Sequence, residues 1–138
     1  MIYTTEEFIR LRNSHIPSEY NRAGTDEAPL SVWLNLIENV HEMKVWVARN
    51  RSIPKEIIYI LSNDDDPVVR DAIASKYPLD IEIYLRLSQD SDEGIRAKLT
   101  YNKALPISIL KEMSESDPSD FVRSQATDRY KQRTNVMK

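Results

Sequence analysis

The chain has no cysteine and only two glycines, Gly24 and Gly94, in 138 residues. Without cysteine, neither a disulfide framework nor a thiolate metal site can form. So few glycines argue against a β-rich fold full of tight turns, and they favour helices joined by short loops. A chain of this length buries on the order of 70% of the surface that its unfolded state exposes. We therefore expect residues 1–138 to form one helical domain without covalent cross-links.

Long apolar runs are also missing. No run approaches the roughly 20 residues that span a bilayer, and the acidic N-terminus, residues 1–7, lacks the apolar segment of a signal peptide. We therefore expect a cytoplasmic protein with no membrane partner, and the lack of cysteine fits a reducing compartment. The formal charge of −3 disfavours general nucleic-acid binding, because such binding depends on Lys and Arg neutralising phosphates.

The motifs of catalysis and metal binding are absent from the sequence. His15 and His41 do not have a metal-binding spacing, and there is no Gly-rich phosphate loop or Gly-x-Ser-x-Gly elbow. The acidic run 64–66 precedes Pro67 rather than the Gly and further oxygen ligands of a calcium loop, so we interpret it as a helix cap and a solvated loop. We predict no catalytic, cofactor-binding or metal-binding residue, no cofactor, and a non-enzymatic function.

A 26-residue repeat runs through the middle of the chain. One basic position recurs at spacings of 26, 26 and 27 residues, at Lys44, Arg70, Arg96 and Arg123. One serine position recurs at spacings of 26, at Ser62, Ser88 and Ser114. A fixed period of this size is typical of a solenoid, in which each unit buries its apolar face only against its neighbours.

Each repeat is predicted to contain two short helices. The first opens at an Asp that caps free N–H groups, at Asp66, Asp92 and Asp117. The second opens near Pro54, Asp80 and Pro106. Residues three to four apart share one helical face, so we predict a buried set of Val69/Ile73, Ile95/Leu99 and Val122/Ala126 on the first helices, and of Ile57/Ile58/Leu61, Ile83/Tyr84/Leu87 and Ile109/Leu110/Met113 on the second. The last repeat stops after one polar helix, which suits a terminal cap, and residues 134–138 are interpreted as a frayed tail.

Residues 1–37 are predicted to form N-terminal cap helices and a degenerate repeat. Thr4 and Glu7 form a capping box that opens a first helix, and Pro17 lies in the first turn of a second. A third helix opens after Pro29. Its apolar residues recur at i, i+3, i+4 and i+7, which predicts one buried stripe of Leu30, Trp33, Leu34 and Ile37.

The pattern Asp-Pro-x-Val-Arg-x-x-x-Ala, followed by Ile-x-x-x-Leu, resembles HEAT-like repeats, and the short units resemble the leucine-rich-repeat variant of bacterial proteins. Residues 66–70 with Ala74 match best, and residues 92–96 with Leu99 match next best. The resemblance covers about residues 38–133. It implies an all-α, short right-handed α-solenoid of four to five helical-pair repeats with an N-terminal helical cap. The founding variant protein has a Cys-rich iron–sulfur segment, which this chain lacks, so that cofactor does not carry over.

The resemblance implies a protein-binding scaffold. Some small bacterial proteins of this kind look like immunity proteins, and we hypothesise that this chain occludes a cognate toxin domain. Glu56 and Glu82 are predicted to complement a basic nuclease toxin. The alternatives are a nucleic-acid-binding protein similar to HEAT-like DNA alkylation repeat proteins, and a scaffold subunit of a larger complex.

The recurring basic residues are interpreted as structural rather than as a row of phosphate contacts. In HEAT-like repeats the matching Arg usually pairs with an Asp of its own or a neighbouring unit. Asp66 with Arg70, and Asp92 with Arg96, have the i, i+4 spacing at which helical side chains meet.

Partner-binding residues are predicted where the repeats differ from one another. Trp46 occupies a register that is not core in the other repeats, so it is either covered by the N-terminal helices or exposed as an interface anchor. Tyr101 occupies a polar register, which predicts an exposed ring. In HEAT-like solenoids the second helices line the concave face, and a predicted strip on that face consists of Tyr59, Leu85, Arg86 and Lys111.

Overall fold

The structure, a computed structural model, describes residues 1–136. This part of the chain contains ten α-helices, one short 3-10 helix and no β-strand. Contacts within the chain divide it into two compact units, residues 1–73 and the residues from Ala74 on. The prediction of an all-α fold is confirmed.

Six helices build the first unit, and the last of them runs to the boundary with the second. They are α1 (Thr5–Asn13), α2 (Pro17–Thr25), α3 (Leu30–Asn39), α4 (Lys44–Arg49), α5 (Lys55–Leu61) and α6 (Pro67–Ala74), with the 3-10 helix His41–Met43 before α4. The second unit contains α7 (Ile81–Leu87), α8 (Glu93–Leu99), α9 (Ile107–Ser116) and α10 (Asp120–Val136).

The helix starts follow the predicted caps, with one exception. Thr4 Oγ1 accepts the Glu7 N–H at 3.0 Å and caps α1, while Asp92 accepts the Ile95 N–H at 3.2 Å and caps α8. The prediction that a helix opens at Asp117 is wrong. Helix α10 begins three residues later, because the hydroxyl of Ser119 caps it by accepting the Val122 N–H at 3.2 Å.

The core of the first unit forms where α1 packs against α3. The rings of Phe8 and Trp33 meet edge to face with centroids 5.5 Å apart, and both side chains are fully buried. Of the stripe predicted on α3, only Trp33 is buried, because Leu30 is 44% exposed and Leu34 and Ile37 are half-buried. The helix contacts both α1 and α4, and the residues that it buries are Val32, Trp33 and Leu36.

The core predicted from the repeats is confirmed in both units. The two residues of each predicted pair on the first helices are buried, as are all members of the triplets on the second helices except the half-buried Ile58. Helix α10 runs through Val136, and Thr134 donates its hydroxyl hydrogen to the Tyr130 carbonyl, so the first residues of the segment 134–138, predicted as a frayed tail, are helical in the structure. Residues 137 and 138 lie outside the described part of the chain.

The recurring serines make the same hydrogen bond in each repeat. Each donates its hydroxyl hydrogen to the carbonyl three residues earlier, with distances of 2.7, 2.7 and 2.5 Å for Ser62, Ser88 and Ser114. The carbonyls of Tyr59 and Leu85 lie in the last turn of α5 and α7, where backbone acceptors lack helical partners, whereas that of Lys111 lies further inside α9.

The recurring arginines also repeat one hydrogen bond. Each donates from Nη1 to the carbonyl six residues earlier, at 2.7, 2.8 and 2.5 Å for Arg70, Arg96 and Arg123. The structural interpretation of these residues is therefore confirmed, but the pairing of Arg96 with Asp92 is wrong. Asp92 caps its own helix, and Arg96 forms a two-pronged ion pair with Asp117, at 2.9 Å from Nε and 3.3 Å from Nη2.

Two asparagines hold the chain between repeats. Asn50 Nδ2 donates to the carbonyls of Ala23 and Asp26, at 2.8 and 3.1 Å. Asn102, 52 residues later, donates in the same way to the carbonyls of Ala74 and Lys76, at 3.0 and 2.7 Å. Both side chains are buried, so these bonds satisfy carbonyls that water does not reach.

Candidate functional site

A cleft of about 910 Å³ lies in the first unit, among α1, α2 and α4. We call it the arginine cleft, after Arg12, Arg49 and Arg51 in its lining. His15 and the aromatic rings of Tyr20 and Trp46 also line it, together with Gly24. None of its lining residues is an Asp or a Glu, so the charges that face the cleft are all positive.

Trp46 forms one wall of the arginine cleft. The guanidinium carbon of Arg12 lies 3.3 Å from the centroid of the ring, and that of Arg49 lies 4.9 Å from it. These are distances at which a cation is attracted to the ring face, by about 0.5–2 kcal/mol. Trp46 is half-buried, and Arg12 belongs to α1, so an N-terminal helix covers the ring in part.

The carboxylates closest in sequence to the arginine cleft are bound to other arginines. Glu19 accepts from Arg10 at 2.7 Å, and Asp26 accepts from Arg22 at 2.8 Å. The hydrogen bond from Arg10, supported by one from Ser14, lowers the pKa of Glu19. The hydrogen bond from Arg22 likewise lowers the pKa of Asp26. Both acids are therefore charged and already paired near neutral pH.

The Nε–H of Arg12 has no hydrogen-bond partner although it is buried. Buried donors are normally satisfied by protein or by ordered water. The atom is closed to solvent, so it adds positive charge to the wall of the cleft but is not itself a contact point for a ligand.

A groove of about 650 Å³ lies in the second unit, between α7 and α9. We call it the Leu85 groove, because Leu85 stands in its lining and is 48% exposed. The buried side chains of Ile109 and Met113 also line it, together with the exposed Glu112. The groove therefore combines an apolar surface with acidic charge.

The Arg96–Asp117 ion pair belongs to the lining of the Leu85 groove. It is nearly removed from solvent, with the side chains of Arg96 and Asp117 10% and 2% exposed. Asp117 also accepts the Ser119 N–H at 2.9 Å. Each partner is therefore satisfied by more than one bond, which a buried charge pair needs if it is not to destabilise the fold.

The predicted partner-binding residues fall at different places. Trp46 lines the arginine cleft and Leu85 lines the groove named after it. Glu56, Tyr59, Glu82 and Lys111 are exposed on their helices, and Arg86 is half-buried outside the lining of the groove. Tyr101 is 53% exposed, as predicted, and the guanidinium of Arg129 lies 4.7 Å from its ring.

The arginines of the cleft were missed by the sequence analysis. Arg49 and Arg51 carried a weak signal, since two basic residues flank the buried Asn50 just after Trp46. Arg12 carried none, because it lies outside the repeats and reaches Trp46 only through the packing of α1.

Among residues 1–136, no group of three His, Cys, Asp or Glu side chains is placed to hold a metal ion. The helices of this part of the chain include none with the length and apolar character needed to cross a membrane. Comparison with protein-family models, with curated proteins and with solved structures found no match for the chain.

Proposed function

We propose that this chain is a non-enzymatic protein-binding module, built as a short right-handed α-solenoid of helical pairs. The recurrence of the same serine and arginine hydrogen bonds at the repeat spacing supports this architecture. These bonds hold loops and helix ends in place, and they leave the exposed positions of each repeat free to vary with the partner.

The Leu85 groove is the observation that carries the proposal. A half-exposed leucine beside the apolar walls from Ile109 and Met113 provides an anchor point that a partner side chain can cover. Glu112 beside it favours a partner that presents basic residues around an apolar centre. Nucleic acid fits this groove less well, because its lining holds Asp90, Glu112 and Asp117 against the single basic residue Arg96.

Within this class we propose an immunity-type inhibitor that covers the active site of a cognate toxin. The supporting feature is charge, since Glu56 and Glu82 are exposed acids on second helices and would complement a basic nuclease domain. A gene for a toxin-like protein next to the gene for this chain is the expected genomic context. Growth rescue on co-expression with that toxin tests the inhibitor role separately from binding.

The binding surface can be tested with three baits, namely the wild-type chain, Leu85→Asp and Ile81→Asp. Ile81 is a matched control, because it lies on the same helix, is 58% exposed and is outside the lining of the groove. We expect the wild type and Ile81→Asp to retain one protein in a stoichiometric complex, and Leu85→Asp to lose it. Failure of the wild type to retain any stable protein partner, or equal retention by Leu85→Asp, contradicts the proposal.

A further inference from the structure

The arginine cleft is lined by positive charge, whereas the charged residues that line the Leu85 groove are mainly acidic. Three guanidinium groups and no carboxylate line the arginine cleft, and the nearby acids Glu19 and Asp26 are held by Arg10 and Arg22. The cleft therefore offers unneutralised positive charge in a concave site whose volume lies within the range of ligand-binding cavities.

Trp46 prepares two of these arginines to bind an anion. A guanidinium that lies over a ring uses its face for that contact and keeps its N–H edges for hydrogen bonds. Those edges match the two oxygens of a carboxylate. The Nε–H of Arg12 is closed to solvent, so such a carboxylate would be bound through the other N–H groups of this guanidinium.

Two features disfavour nucleic acid as the ligand. Residues 1–73 contain eight Lys or Arg and twelve Asp or Glu, so the unit as a whole repels a long polyanion. Arg12 and Arg49 lie over the ring of Trp46, at 3.3 and 4.9 Å from its centroid, so a base competes with two guanidinium groups for the stacking on which single-strand binding depends. A short anionic segment avoids both problems.

We propose that the arginine cleft binds an acidic peptide segment of a partner protein through its Asp or Glu carboxylates. Arg49 and Arg51, which are exposed at the end of α4 and just beyond it, attract the segment, and Arg12 binds a carboxylate deeper in the cleft. The proposal extends the proposed protein-binding function to a second site with the opposite charge preference. The two proposals can fail separately. A peptide can fail to bind in the arginine cleft although the wild-type bait retains a partner through the Leu85 groove, or the peptide can bind although the bait retains no partner.

Gly24 provides a way to block the cleft without removing charge. It lies in α2 and in the lining of the cleft, and no atom is within 4 Å of the position that a Cβ would take. Its φ is not positive, so a side chain causes no backbone strain. Gly24→Leu is therefore expected to fold normally and to project its side chain into the space that the peptide needs.

The test is a titration followed by the indole N–H signal of Trp46 in the NMR spectrum of the full chain, which Trp46→Phe distinguishes from that of Trp33. The probes are acetylated, amidated hexaglutamate, the matching hexaglutamine and a hexathymidine oligonucleotide, at constant ionic strength. We expect saturable shifts with hexaglutamate and at least ~10-fold weaker binding of the other two probes. Arg49→Gln/Arg51→Gln and Gly24→Leu should each weaken hexaglutamate binding by at least ~10-fold.

Lys55→Gln is the matched control, because it removes one positive charge of the same unit from an exposed residue outside the cleft lining, and it leaves the Arg10–Glu19 and Arg22–Asp26 pairs in place. It should leave hexaglutamate binding within about two-fold of the wild type. Absence of saturable shifts, or an equal loss in Lys55→Gln and in the cleft variants, overturns the proposal. Tighter binding of the oligonucleotide than of hexaglutamate overturns it in favour of a nucleic-acid site.

Discussion

At the scale of single residues, Tyr84 connects a loop to a repeat junction inside the second unit. Its hydroxyl accepts the Leu79 N–H at 3.1 Å and donates to Asn102 Oδ1 at 2.9 Å. Asn102 in turn holds the carbonyls of Ala74 and Lys76. The side chains of Tyr84 and Asn102 are buried, and a polar group without a partner is costly there.

Removal of this hydroxyl tests the connection. Tyr84→Phe leaves the buried Leu79 N–H without its acceptor and should lower the free energy of unfolding by about 1–3 kcal/mol, measured by urea denaturation. Tyr101→Phe makes the same chemical change on a ring that is half exposed, so a loss within about 0.5 kcal/mol is expected there. Equal losses in the two variants would show that the network does not stabilise the fold.

Tyr84 also gives the fold an alkaline limit. Burial raises the pKa of its hydroxyl above the ordinary value of about 10. The unfolded chain then releases the proton at a lower pH than the folded chain, so this contribution to stability is complete below pH of about 10 and declines as the pH rises further. The difference in unfolding free energy between the wild type and Tyr84→Phe should therefore be smaller at pH 11 than at pH 8. A constant difference across that range contradicts the argument.

At the scale of helices, the sequence predicted elements and cores better than it predicted partners. The spacing of Ile95 and Leu99 was sufficient, because helical geometry alone places both on one face. The partner of Arg96 could not be chosen in this way, since Asp92 and Asp117 were both available. The choice depends on Asp92 turning its carboxylate to the Ile95 N–H, and this is visible only in three dimensions.

The tertiary ion pair of Arg96 can be compared with a local one. Asp117→Asn leaves the buried Arg96 charge unpaired, and we expect a loss of about 3 kcal/mol in unfolding free energy, since Arg96 keeps its bond to the Asp90 carbonyl. Asp120 forms an ion pair with Arg123 but its side chain is 95% exposed, so Asp120→Asn should cost several times less. Comparable losses would mean that burial does not set the strength of these pairs.

At the scale of the whole molecule, the frame and the binding surfaces come from different kinds of residue. The recurring positions, such as Ser88 and Arg96, bond to nearby carbonyls and define the frame, so their periodicity could be read from the sequence. The surfaces depend on residues that do not recur. Trp46 and Leu85 stood out as exceptions to the repeat, whereas Arg12 lies 34 residues before Trp46 and outside the repeats, so no periodic signal marked it.

The most direct test of protein binding through the Leu85 groove is calorimetric titration of the purified partner. The wild-type chain, Leu85→Asp and Ile81→Asp are compared under the same conditions. We predict a one-to-one complex whose dissociation constant rises by at least ~10-fold in Leu85→Asp, which corresponds to about 1.4 kcal/mol, and is unchanged in Ile81→Asp. The same dissociation constant for the wild type and Leu85→Asp would contradict the account.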